Sequence, residues 1–124
     1  MLVDNPVHTT LPATDLERAK QFYAEKLGLS VESEAPEAVF FHSGNTRFLV
    51  FPSQGTPSGT HTQMGWTVED IEAEVSDLKA RGVVFEEYDF EGFDRDKGIA
   101  TTGPVKAAWF KDSEGNLLGL VEFT

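Results

Sequence analysis

The chain has 124 residues and a formal charge of −11, from 21 acidic and 10 basic side chains. That length fits one compact domain whose halves would each be marginal alone, and a field of that sign disfavours nucleic acid as a partner. Cysteine is absent, which excludes disulfides and thiolate chemistry, and no run approaches the roughly 20 apolar residues of a membrane-spanning helix.

Met1 to Pro6 lacks a basic segment followed by an apolar run, so no signal peptide and a cytoplasmic location are expected. Val7-His8-Thr9-Thr10-Leu11 alternates, with Val7, Thr9 and Leu11 on one face and His8 and Thr10 on the other, which predicts a strand. Thr14 with Glu17 three residues on reads as a capping box. Leu16, Ala19, Tyr23 and Leu27 then form a helical apolar stripe, closed by Gly28. Strands are expected over residues 29–32, 38–42 and 46–51, the last two joined by a Ser43-Gly44-Asn45 turn. Residues 52–59, rich in Pro, Gly and Ser, read as a joint.

The plan then repeats. In residues 62–68, Met64, Trp66 and Val68 share one face, while Gln63, Gly65 and Thr67 share the other. Ile71, Val75 and Leu78 mark a second helix, residues 83–88 a strand, residues 91–103 a charged loop, and residues 107–111 and 117–123 a final strand pair. A shift of 55 carries Asp15 onto Asp70 and His8 onto Gln63, whereas the two Gly-Asn turns lie 71 apart, so the second half holds about 16 extra residues (71 minus 55). The expected fold class is α+β: two βαβββ modules in one domain over 1–124, with curved mixed sheets around a cleft. Module 1 covers about 5–52, a linker about 53–60, and module 2 about 61–124.

Strand parity extends this to a site. If Val7, Thr9, Leu11, Met64, Trp66 and Val68 pack on helices, then His8, Thr10, Gln63 and Gly65 face away, onto a polar concave surface suited to a small molecule. Phe48, Val50 and Trp109 are the expected apolar walls, with Trp109 balanced between wall and core. Trp66 is expected in the core. His42, His61 and Glu122 are most simply exposed or interface side chains.

The order and spacing of residues 7–23, Leu27-Gly28-Leu29 and Trp109-Phe110-Lys111-Asp112-Ser113-Glu114-Gly115-Asn116 resemble the vicinal-oxygen-chelate superfamily, the glyoxalase, bleomycin-resistance and dioxygenase group. The resemblance implies a homodimer and a pocket that commonly holds a divalent metal. It places metal ligands at His8 and Gln63, and carboxylates at Gly119 and, by the shift of 71, at Phe48. Neither of those two has a donor side chain. His61, which shares parity with Gln63, and Glu122 are the reserves for a third ligand, although Glu122 stands an odd step from Gly119 and should face the other way. No cofactor is therefore firmly implied, and a divalent metal stays open. Three readings follow: a small-molecule-binding protein with an incomplete metal site, a metal-dependent lyase, isomerase or dioxygenase, and a structural or regulatory dimer with a vestigial pocket. No catalytic residue is assigned; nucleophile-elbow and phosphate-loop motifs are absent.

Overall fold

A computed structural model describes residues 1–123. The chain divides into two compact units, Met1–Thr56 and Pro57–Thr124. In the first, β1 (Thr9–Ala13), α1 (Leu16–Gln21), β2 (Ser30–Ala35), β3 (Ala38–Ser43) and β4 (Thr46–Pro52) follow one another. They build a sheet of order β1-β4-β3-β2. Only the β1–β4 pair is parallel, because α1 and the β2–β3 hairpin lie between those two strands in the chain.

β1 begins two residues later than its alternation implied. Its ladder with β4 starts at Thr9 against Phe48, and Val7, outside the ladder, is 96% exposed. The alternation itself holds, since Leu11 and Ala13 are buried while Thr10 is exposed. The N-cap of α1 is Asp15 rather than Thr14: its carboxylate accepts the Arg18 N–H at 3.0 Å. Thr14 instead accepts from the Arg18 guanidinium at 3.4 Å. A carboxylate at this place satisfies an orphan N–H and offsets the positive end of the helix dipole. After Gln21 the helix widens into a π-type stretch, Phe22–Lys26, which carries the buried Tyr23. Tyr23 sits 5.4 Å from Phe41 and 5.3 Å from Phe48, and Phe41 stacks on Phe48 at 5.5 Å. These rings, with Leu11, Val39 and Val50, are the core of this unit.

The second unit holds β5 (Met64–Thr67), α2 (Ile71–Ala80), β6 (Phe93–Asp94), β7 (Ile99–Thr102), β8 (Val105–Lys111) and β9 (Leu117–Phe123). The sheet order is β5-β9-β8-β7-β6, again with one parallel pair, β5–β9. Asp70 caps α2 by accepting the Ala73 N–H at 3.1 Å, so the shift of 55 carries cap onto cap. Ile71, Val75 and Leu78 form the buried stripe. Trp66 stacks on Phe110 at 6.3 Å, and Phe85 meets Phe110 edge-on at 5.3 Å.

Here the strand expected over 83–88 shrinks to a single bridge, Phe85 to Phe110. The stretch expected as a plain loop contains the β6–β7 hairpin instead. β8 has one free edge once β9 is paired, and β7 takes its first half through Ala100–Ala107 to Thr102–Val105. Ile99 and Ala100 are buried and anchor that competing hairpin. Gly92 is required beside it: at φ 97° its position leaves a Cβ 2.6 Å from the Thr101 carbonyl oxygen. Among the described residues no helix is long and apolar enough to cross a membrane.

Phe41→Ala should lower unfolding free energy by about 3–5 kcal/mol, whereas Val7→Ala should leave it within about 0.5 kcal/mol. Urea unfolding followed by circular dichroism distinguishes the two.

Candidate functional site

In the first unit, the parallel register sets Thr10 beside Leu49, with Phe48 beside Thr9 and Val50 beside Leu11. Phe48 and Val50 therefore lie on the buried side with Tyr23 and Phe41, and their expected place as pocket walls is corrected. The cause is local. Gly44-Asn45 alone separates Ser43 from Thr46, whereas Asp112 to Asn116 separates Lys111 from Leu117. In the ladders Thr9–Phe48 corresponds to Met64–Leu118, so the last strand shifts by 70 (118 minus 48) rather than the 71 of the turns, and one residue reverses the face.

The face that carries Thr10 instead shows Leu49 and Phe40, which pair across β3 and β4. Exposed His8 packs edge-on to Phe40 at 5.6 Å. The Arg47 guanidinium lies 4.5 Å from the Phe40 ring centre and bonds the Glu32 carboxylate at 3.1 Å. Phe40 and Arg47 were missed as neighbours of His8, although the two-residue turn and alternation along 38–43 and 46–52 contain the signal.

In the second unit, Gly65 pairs with Gly119, and Gly119 with Trp109. A Cβ on Gly119 would stand 3.3 Å from Trp109 Cδ1, 3.4 Å from Nε1 and 3.3 Å from Thr62 Cγ2. A Cβ on Gly65 would stand 3.1 Å from the Gly119 carbonyl oxygen. The indole thus lies over the glycine and is pinned there: its Nε1–H donates to Thr62 Oγ1 at 3.0 Å, and Tyr88 meets it edge-on at 5.4 Å. Burial pushes the Tyr88 phenol above its ordinary pKa, and the nearby Glu86 charge adds to the effect. Trp109 is half-buried on this face, opposite to Trp66 and Phe110.

Gln63 donates its backbone N–H to the Leu117 carbonyl at 2.8 Å. Its side-chain Oε1 is buried with no hydrogen-bond partner. Such an acceptor costs about 1–3 kcal/mol unless something donates to it.

The reserve ligands are engaged elsewhere. Glu122 accepts the Ile71 N–H at 2.9 Å, so it points to the α2 side and supports that helix's N-terminus, as its odd step from Gly119 implied. His61 is exposed, with Nδ1 3.0 Å from Ser58 Oγ. Among the described residues, no three His, Asp or Glu side chains converge into a metal-holding group. The remaining donors at the expected positions, His8 and Gln63, number fewer than the three or four protein ligands a stable zinc site needs. Among the described residues, the side chains at these positions do not make up such a site.

Two mixed sheets, each with one parallel pair and a helix entered through an Asp cap, define a paired-module α+β protein. The family model for the Glyoxalase/Bleomycin resistance protein/Dioxygenase superfamily matches residues 5–120, and the chain belongs to that superfamily. Solved structures agree in fold. A glyoxalase/bleomycin resistance protein/dioxygenase from Nocardioides is 20% identical with a TM-score of 0.68, covering 96% of this chain and 84% of that one. Lactoylglutathione lyase from Agrobacterium tumefaciens is 22% identical with a TM-score of 0.65, covering 95% and 92%. The fosfomycin resistance protein FosX from Listeria monocytogenes is 16% identical with a TM-score of 0.72, covering 97% and 93%. No curated protein matches the chain.

Thr62→Val should free the indole, red-shift tryptophan emission and lower stability by about 0.5–1.5 kcal/mol. Glu122→Ala should lower stability by about 1–2 kcal/mol through the α2 terminus. Fluorescence and thermal unfolding check both.

Proposed function

We propose that this chain is a small-molecule-binding protein rather than a metal enzyme. The ligand would meet the second unit's sheet face, which carries Gln63, Gly65 and Trp109; the face carrying His8 and Thr10 is the first unit's own candidate surface. The observation that carries this reading is the Trp109 indole lying over Gly119, where the family resemblance expects a metal-binding carboxylate. An aromatic ring fixed by a hydrogen bond offers stacking area at low entropic cost. The unpartnered Gln63 Oε1 offers one directional acceptor, on the residue next to Thr62, whose hydroxyl accepts from the Trp109 indole. A homodimer belongs to the same reading.

A ligand screen by thermal shift, followed by amide-resolved NMR, tests it. Binders should perturb the Trp109 indole N–H and the Gln63 side-chain amide. A broad screen without a binder, or shifts confined elsewhere, would remove this reading.

A second reading is a divalent-metal-dependent lyase, isomerase or dioxygenase. The same Gln63 Oε1 favours it, since that oxygen is a free donor at a family ligand position. It needs a third ligand that neither His61 nor Glu122 supplies in the arrangement described above. Elemental analysis of protein purified without chelator separates the readings: metal well below one equivalent supports the first, and a full equivalent supports the second.

A further inference from the structure

Between Glu86 and Asp94 the sequence alternates aromatic rings with carboxylates, and the rings meet one another. Tyr88 lies 6.1 Å from Phe90 and 5.8 Å from Phe93, and Phe90 lies 5.7 Å from Phe93. Through Tyr88 the cluster joins Trp109. The rings contact one another but are not sealed, since Phe90 is 45% exposed. A hydrophobic cluster serving only the core would be covered, and ordinary surface segments expose few large aromatics.

Glu86, Glu87, Asp89, Glu91 and Asp94 interleave with these rings, and the stretch contains no Lys or Arg. Lys111 reaches Glu86 at 3.4 Å and Arg95 reaches Asp89 at 3.6 Å. None of the ion pairs among the described residues involves Glu87 or Glu91. A surface of this kind repels anions. A neutral apolar ligand would gain nothing from the carboxylates. A bare metal ion would gain nothing from the rings, and the carboxylates do not converge on a point to hold one. Only a ligand that is both flat and positive uses both features, by stacking and by attraction of its charge to ring faces and carboxylates.

We propose that the Tyr88, Phe90, Phe93 and Trp109 cluster takes a flat organic cation, of the class of protonated or quaternised aromatic amines. This rests on the small-molecule reading above and narrows it. Half-buried Trp109 and Tyr88 form the inner end and exposed Phe90 the outer end, with exposed Glu87 and Glu91 adjoining Tyr88 and Phe90 in sequence. The same negative surroundings act on Tyr88, whose phenol is held protonated by burial and by Glu86.

The test uses proflavine, a fluorescent planar cation at neutral pH, and acridine, a neutral molecule with the same ring system. Each is titrated into the full chain at low and high salt. Proflavine should bind about tenfold more tightly than acridine, with the difference shrinking as salt rises. Phe90→Ala and the double variant Glu87→Gln/Glu91→Gln should each weaken proflavine severalfold. Glu25→Gln, on the first unit's helix, should not. Equal affinity for the two dyes overturns the cation proposal while leaving the small-molecule reading in place. Proflavine binding that ignores Phe90, Glu87 and Glu91 overturns it as well, by placing the cation elsewhere. Failure of proflavine to bind overturns it too; the broader reading falls only if the wider screen is also empty.

Discussion

The register of β8 against β9 places Trp109 directly opposite Gly119, and much of the second unit's site follows from that one pairing. An indole can lie flat across a neighbouring strand only where that strand has no side chain. Gly119 provides the gap, and Gly65 on the next strand lets the backbones approach without a Cβ meeting the Gly119 carbonyl. Thr62 then fixes the ring through its hydroxyl. Tyr88 can pack edge-on because the ring is fixed, and Phe90 and Phe93 build outward from Tyr88.

The opposite side of each sheet does the stabilising. Tyr23, Phe41 and Phe48 form the core of the first unit, and Phe110 with Phe85, Leu118 and Leu120 that of the second. Burying such side chains contributes about 1.5–3 kcal/mol each relative to exposure. Glu122 belongs to this side. Its carboxylate and that of Asp70 both take N–H groups in the first turn of α2. A carboxylate occupied in this way supports a helix terminus and is not available to a cation on the other face. The division of labour is therefore set by parity: even and odd positions of one strand serve stability and surface chemistry separately.

Much of this was legible in the residues. Alternation along 62–68 and the apolar stripe of Ile71, Val75 and Leu78 identified the faces, and the odd step from Gly119 to Glu122 anticipated the carboxylate's direction. Three things were not legible. The Asp15 cap competed with Thr14, both being good capping residues one position apart. The β6–β7 hairpin displaced the strand at 83–88 because two segments compete for one edge of β8, a tertiary choice that local propensity does not resolve. Phe48 and Val50 were misplaced because a repeat shift counts residues and ignores that a two-residue turn and a longer loop set different registers. The aromatic cluster was missed since Tyr88 and Phe90, which link Trp109 to Phe93, lie on an irregular segment without strand periodicity.

Replacement of a metal-binding carboxylate by a pinned indole is the central claim, and cobalt(II) titration tests it most directly. Cobalt bound by several protein side chains gives distinctive visible absorption, and its binding near Trp109 would also quench that indole. The account predicts no saturable one-to-one change in either signal with the wild-type chain. A stoichiometric spectrum that disappears in both His8→Ala and Gln63→Ala would contradict it.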